Sequence, residues 1–418
     1  MRRVVVTGIG TINSTGHNVK DSFEAVVNGE CGIDTITLFD ASEFPVQIAG
    51  EVKDFDPTTV MDKKEVKKAD RFIQLGIKAA LEAMIDSGYV TEENKKVDPS
   101  IADRFGMISG SGIGGLSTIE KNSVVCATRG AKKVSPFFIP SSLANMLSGF
   151  ISIEHNLRGP SLGHVTACAA STHALNDAVK TIMVGGADRI LVVGAESAIC
   201  GAGVAGFAAM KALSTRNDDP KKSSRPFDTD RDGFVMGEGA GALVVEDLEL
   251  ALERGANIYA EIIGFGESGD ANHITAPVVD GPLRAMKAAF DMAKNITGEY
   301  PKIDYINAHG TSTPVGDKNE TAAIKSLFEG KDVPLVSSTK GQIGHCLGAA
   351  GAIEAIFTIK ALTEGIIPPT INIENQDPAC DLDYVANTAR KADLTTVMSN
   401  NFGFGGTNGS VIFKKYSK

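Results

Sequence analysis

Residues 165–186, VTACAASTHALNDAVKTIMVGG, run from an extended Val165-Thr166-Ala167 segment into a helix that stops at Gly185-Gly186. Small or apolar residues stand at Ala169, Ala170, Ala174, Leu175, Ala178 and Ile182, on almost every side of that helix. A surface helix keeps its apolar residues to one stripe, so this one is predicted to be buried. The other half of the chain repeats the pattern. Ser338-Thr339-Lys340-Gly341 leads through His345, Gly348, Ala349, Ala350, Gly351 and Ile356 to Gly365, with Pro368-Pro369 beyond. Short apolar runs at 189–193 and 241–245 alternate with such helical stretches, the pattern of an α/β protein whose sheets are covered by helices. Two buried helices, each fed by a β-type segment, predict duplicated layers. The charged stretch from Glu246 to Gly255 reads as an amphipathic connector, which divides the chain into units 1–256 and 257–418.

The 418 residues are 43% hydrophobic and 22% charged with 45 glycines, which excludes disorder and collagen-like structure. Met1-Arg2-Arg3 followed by Val4-Val5-Val6 meets Gly8 too early for a signal peptide or a membrane span, and reads as a first buried strand. Cysteines 31, 126, 168, 200, 346 and 380 are scattered without a CxxC pair, which fits a reducing cytoplasm. A formal charge of −10 argues against nonspecific nucleic-acid binding, which needs a basic surface.

Cys168 lies where the extended segment turns into the helix, near unpaired N–H groups and the positive end of the helix dipole. A thiol there is expected to have a lowered pKa, as covalent acyl transfer through a thioester requires. The plain alternative is a buried structural cysteine, the reading given to the other five. His309 follows the predicted strand 303–307 in the turn Ala308-His309-Gly310-Thr311-Ser312-Thr313, and His345 follows Lys340 by five residues. Two neutral imidazoles beside a thioester oxygen can donate hydrogen bonds to the enolate left when a carboxylate departs as CO2. His17, His155, His164, His173 and His273 are read as structural, and no close-spaced ligand pair supports zinc at His309 or His345. Residues 400–408, NNFGFGGTN, read as a tight turn between two strands, able to supply oxyanion-hole N–H groups and, through a phenylalanine between glycines, a gate.

Four motifs, Thr166 to Ala170, His309 to Thr313, Lys340 to His345 and Asn401 to Asn408, resemble in chain order those of the β-ketoacyl-[acyl-carrier-protein] synthases. The resemblance runs from Arg3 to the final strand and takes in Arg225-Pro226-Phe227-Asp228 and Arg231-Asp232-Gly233-Phe234. It implies a thiolase-like fold of five α-β-α-β-α layers built from two similar halves, the first with the nucleophile and the second with both histidines, used as a homodimer. It implies decarboxylative condensation in fatty acid elongation: Cys168 accepts an acyl chain from acyl-carrier protein, and malonyl-carrier protein loses CO2 and attacks the thioester. A type I or polyketide-type ketosynthase of the same fold is the alternative. His309 and His345 then flank the malonyl thioester and Lys340 orders the site. The N–H groups of Cys168 and Phe404 form the oxyanion hole, and Phe404 is also the gate. Thr311, Thr313 and Phe402 line the substrate arm, and Ile113 stands at the deep end of the acyl pocket, as in the type II branch. No cofactor is implied, since both substrates ride on the carrier's phosphopantetheine. Glu354, Ser399 and Asn400 match positions that some members place around a structural monovalent cation.

Lys64, Lys67, Lys68 and Arg71 form one cationic stripe if their region is helical. With Lys211 they are expected to dock the acidic carrier protein. Three rivals remain weaker. Gly110 to Gly115 satisfies the dinucleotide pattern GxGxxG but lacks the later acidic strand end. Asp228 to Gly233 opens like a calcium loop but has Gly239 at the twelfth position. A cysteine hydrolase would need Cys168 and His309 but neither Lys340 nor a second histidine.

Overall fold

The computed structural model describes residues 1–417, and the repeat suggested by two buried helices is written into its main sheet. Ten strands follow in chain order: β1 (Val4–Asn13), β2 (Phe105–Gly110), β3 (Ser161–His164), β4 (Arg189–Glu196), β5 (Gly239–Asp247), β6 (Ala260–Gly269), β7 (Tyr305–Asn307), β8 (Leu335–Ser337), β9 (Thr396–Gly403) and β10 (Thr407–Lys414). They bond in the order β3-β2-β4-β5-β1-β6-β10-β9-β7-β8. The second half therefore copies the first strand for strand. Directions repeat too: β2 is parallel to β3 and β4 while β5 is antiparallel to β4 and β1, and β7 is parallel to β8 and β9 while β10 is antiparallel to β9 and β6. The halves join along a short seam, Val4, Val5 and Val6 against Ile262, Glu261 and Ala260. The change from one half to the next falls between Asp247 and Ala260, where Asp247 caps the short helix Leu248–Glu253.

The helices that position the site are α1 (Arg71–Asp86), α2 (Leu116–Arg129), α3 (Ala170–Met183), α4 (Gly201–Ala209), α5 (Asp280–Thr297), α6 (Pro314–Leu327) and α7 (Ala350–Glu364). The helices α3 and α7 touch each other, and each touches strands of both halves, so they form the central layer. On the outside α1 covers β1, β5 and β4, while α5, with α6 against it, covers β6 and β10. The result is the five-layer α-β-α-β-α, thiolase-like order. Strand β1 is buried at every position, as a strand covered on both faces must be. Among the described residues, no helix is long and apolar enough to cross a membrane.

Both central helices start through a 3-10 turn, Ala167–Ala169 and Leu347–Ala349, whose first residues have φ of 49° and 46°. The second helix is not continuous as the sequence suggests. Lys340–Ile343 forms one short turn, Gly344 at φ 74° ends it, and the His345 N–H donates sideways to the Val235 carbonyl at 2.7 Å. The central layer is packed to contact: a Cβ on Gly351 of α7 would lie 2.1 Å from Thr172 Oγ1 and 2.7 Å from the Thr172 nitrogen on α3. Gly351→Ala is therefore expected to destabilise the protein by about 1–3 kcal/mol through overpacking. Chemical denaturation reads this directly, and an unchanged midpoint would show that the two helices part freely.

Candidate active site

The turn before α3 exposes one side chain to a cavity of about 450 Å³, and that side chain is Cys168. Ala167 holds a left-handed backbone, a conformation that costs a non-glycine residue about 1–3 kcal/mol and persists only where its surroundings impose it. Opposite lies the tight turn Phe404-Gly405-Gly406 between β9 and β10, found where the sequence places it. A Cβ on Gly403 would lie 2.9 Å from the Thr166 carbonyl and 3.2 Å from the Cys168 nitrogen, so only glycine lets hairpin and turn meet so closely. The N–H groups of Phe404 and Cys168 consequently lie near the sulfur, where they favour its anionic form.

Burial, the largest influence, pushes the Cys168 thiol up to about 12, while the Lys340 charge and those two N–H groups act downward. This corrects the lowered value expected from the helix end: loss of water around the sulfur outweighs the dipole. Alkylation of the resting enzyme should accordingly rise roughly tenfold per pH unit through the neutral and mildly alkaline range. A plateau near neutrality would contradict this.

Two imidazoles face the same cavity. The rings of His309 and His345 lie 5.3 Å apart at 84° and are wedged by Phe402 and Phe234 respectively. Burial, and secondarily the Lys340 charge, hold both well below the ordinary histidine value, so both are neutral. Neither Nδ1 has a partner. His309 is aimed by its main chain, because its N–H and that of Gly310 donate to Glu320 at 2.8 and 2.7 Å. Lys340 does not line the cavity. Its ammonium pairs with Glu354, which also accepts from Asn401 Nδ2 at 2.7 Å, so Lys340 reaches the site by its charge and through this buried chain.

Thr311 and Thr313 line the cavity with their hydroxyls 3.1 Å apart, joined by Phe402, Phe404 and Lys211. Ile113 is not on this side; it packs with Leu116 and Phe207 in the apolar cluster that includes Cys168. The cationic stripe does not form as expected. Helix Lys63–Val66 ends before Asp70 caps α1, and Arg71 turns inward to pair with buried Glu238 at 2.6 Å. Lys68 is held by Glu65 at 2.5 Å, which leaves Lys64 and Lys67 as the exposed charges of the set.

Sequence reading missed several carboxylates because their role is to receive main-chain N–H groups, which no motif records. Glu320 is one, pushed up to about 7 by burial. Asp317, pushed by burial to about 6, accepts from Phe227 and Ser312. Glu196 receives the N–H groups of Gly112, Ile113, Gly114 and Gly348 at 2.6 to 3.3 Å. It thereby fills the glycine-rich loop that a dinucleotide phosphate would need. The calcium-like run is likewise engaged internally, with Asp228 bonded to Arg225, Asp230, Glu374 and Asn375. Of the expected cation set, the Asn400 side chain turns away from Glu354, toward Ser410 and Met286. Ser399 Oγ lies buried and unpartnered on the Asn401 face of β9, beside the equally unpartnered amide of Asn307. Among the described residues, no group of three or more His, Cys, Asp or Glu side chains could hold a metal ion.

Residues 1–251 match the family model described as Beta-ketoacyl synthase, N-terminal domain, and residues 259–374 match its C-terminal domain. The chain is 50% identical over 422 residues to the 3-oxoacyl-[acyl-carrier-protein] synthase 2 of Vibrio harveyi, covering 100% of this chain and 99% of that one. Among solved structures it is similar to a β-ketoacyl synthase from Burkholderia phymatum, at TM-score 0.91 and 35% identity over the whole of both chains. It is also similar to the ketosynthase of a type II polyketide system in complex with its acyl-carrier protein, at TM-score 0.86 and 30% identity, again with full coverage of both.

Proposed function

This chain belongs to the β-ketoacyl synthase family, and we propose that within it Cys168 is the acyl acceptor while His309 and His345 serve decarboxylation. The reaction is the 3-oxoacyl-[acyl-carrier-protein] synthase condensation of fatty acid elongation. One observation carries the reading: a thiol beside the main-chain N–H groups of the Phe404 hairpin and its own turn shares a cavity with two neutral imidazoles.

Cys168 sulfur attacks the acyl thioester carbonyl, and its proton passes to a neutral imidazole. The oxyanion is stabilised by the N–H groups of Cys168 and Phe404. The tetrahedral intermediate collapses, the bond to the pantetheine sulfur breaks, and the carrier leaves as a protonated thiol. The malonyl thioester then enters between Thr311, Thr313 and Phe402, with its carbonyl toward His309 and His345. Its carboxylate leaves as CO2, and the electron pair forms an enolate that the imidazoles stabilise by donation. That carbon attacks the acyl-Cys168 carbonyl, a C–C bond forms, the C–S bond breaks, and the sulfur takes up one proton from solvent, the proton that loss of CO2 from a carboxylate consumes in each cycle. Lys340 holds the chain Lys340-Glu354-Asn401 in place, Phe404 gates the hairpin, and Ile113 meets the acyl chain. The carboxylate of Glu354 with the unpartnered Ser399 Oγ and Asn307 Oδ1 would suit a monovalent cation, which would satisfy those two oxygens.

The partner is acyl-carrier protein, as for the polyketide ketosynthase it resembles. The exposed Lys64 and Lys67 and the mouth residue Lys211 give an acidic carrier a basic landing point on a chain of formal charge −10. Replacing Lys64 and Lys67 by glutamate is expected to lower turnover about tenfold at low salt, with the gap narrowing as salt screens exposed charge. Equal loss at every ionic strength would count against this face. A second copy of the chain is proposed along β3, an edge strand whose Leu162, with nearby Val165, Ile139 and Leu143, is exposed. The six free cysteines suit a reducing cytoplasm.

Intact-protein mass spectrometry after incubation with a medium-chain acyl-carrier protein, then with malonyl-carrier protein, tests the reading. Acyl mass on Cys168 that vanishes as a ketoacyl carrier two carbons longer appears is the expected result. A label that hydrolyses without elongation would favour a hydrolase.

A further inference from the structure

Both ring nitrogens of His173, on the first turn of α3, are engaged at the nucleophile turn. Nδ1 lies 2.7 Å from Thr166 Oγ1, and Nε2 lies 3.1 Å from the carbonyl oxygen of Asn408. A carbonyl can only accept, so Nε2 carries the proton, Nδ1 presents its lone pair, and the Thr166 hydroxyl donates to it. Burial holds the ring below its ordinary pKa, in keeping with this neutral form. The Thr166 carbonyl in turn accepts from Thr407 Oγ1 at 3.1 Å. The residue before strained Ala167 is thus fixed at its carbonyl by Thr407 of the β9–β10 hairpin that carries Phe404, and at its hydroxyl by His173 of α3, which is itself tied to Asn408 of that hairpin.

The duplicated architecture supplies a control within the molecule. Turn Ala167–Ala169 and helix start Ala170 match turn Leu347–Ala349 and helix start Ala350. Thr166, Cys168 and His173 therefore correspond to Cys346, Gly348 and Ile353. The second half makes the same left-handed turn, at Leu347, without a hydroxyl–imidazole pair. The fold does not need the pair; it occurs in the half that bears the thiol.

We propose that His173 is a positioning residue for acyl transfer: acting through Thr166, it holds the Cys168 turn in register with the Phe404 hairpin so that sulfur and oxyanion hole stay aligned. This rests on the reading of Cys168 as the acyl acceptor.

The test separates two half-reactions, acylation of Cys168 by acyl-carrier protein and CO2 release from malonyl-carrier protein without primer. His173→Ala is expected to slow acylation on the order of 10- to 100-fold, the scale of a small misplacement at a reacting centre, and to leave CO2 release within about twofold. Thr166→Val should act alike, and the double variant should be no slower than His173→Ala, because both remove one connection. His173→Asn, whose Oδ1 can accept from Thr166 in place of Nδ1, should retain more acylation than His173→Gln. Acylation at the wild-type rate in His173→Ala, or an equal fall in both half-reactions, overturns the proposal. If that variant does not fold, Thr166→Val decides, and wild-type acylation in it overturns the proposal as well. A wild-type protein that takes no acyl label would instead overturn the reading of Cys168 itself, and this inference with it.

Discussion

Cys168→Ala is expected to abolish ketoacyl formation, by at least about 10³-fold, while leaving the protein folded. The loss is large because no other group in the cavity can carry the acyl chain as a thioester: Cys346 and Cys200 are buried and absent from its lining. The fold survives because the turn is not built by the sulfur. Ala167 sets the left-handed step, Thr166 is held by His173 and Thr407, and α3 starts at Ala170 whatever side chain stands at 168. Elongation assayed with acyl and malonyl carriers, beside a thermal melt, reads both halves of the expectation. Normal elongation by the variant would remove Cys168 from the chemistry.

Replacing His309 or His345 by alanine should lower CO2 release from malonyl-carrier protein by about 10²–10³-fold, the usual effect of deleting one donor to a developing oxyanion. Each ring is neutral and its Nδ1 unpartnered, so each can keep its other nitrogen for the substrate. Acyl labelling of Cys168 should fall less than CO2 release in at least one of the two variants, since one imidazole suffices to take the thiol proton. Because both pKa values are held well below the ordinary one, CO2 release by the wild type should be level across neutral pH and should not track a histidine titration near its ordinary value. Unchanged CO2 release in both alanine variants would defeat the assignment.

Much of this architecture can be read from two helices. A segment apolar on every side has to be buried, and two such segments at matching places in the chain point to a duplicated layer structure; α3 and α7 are those helices, back to back between the sheets. The hairpin at Phe404 was legible because its glycines have no other local reason. What stayed hidden is what depends on contacts between distant segments. Periodicity extends the cationic stripe through Arg71, but a buried carboxylate at Glu238 draws that side chain inward. A helix end suggests an acidic thiol, but only the packing around Cys168 reveals the stronger effect of lost water. Glu196 and Glu320 carry no signature, because the groups they hold are backbone N–H, the same at every residue. His173 looks like any half-buried histidine until Asn408 is brought to it from a distant part of the sequence.

The seam between β1 and β6 places the two halves side by side, yet α3 is covered from its second side only by strands and a helix of the later half. On a ribosome adding about 5–20 residues per second, the remaining chain after β5 takes about 10–30 s to appear. Through that interval the nascent first half carries its thiol on a helix with a bare apolar flank. Its sulfur has neither the Phe404 N–H beside it nor an imidazole from His309 or His345. With Cys168 read as the acyl acceptor, a product truncated before β10 is expected to be inert toward acyl-carrier protein and, through that bare flank, prone to associate.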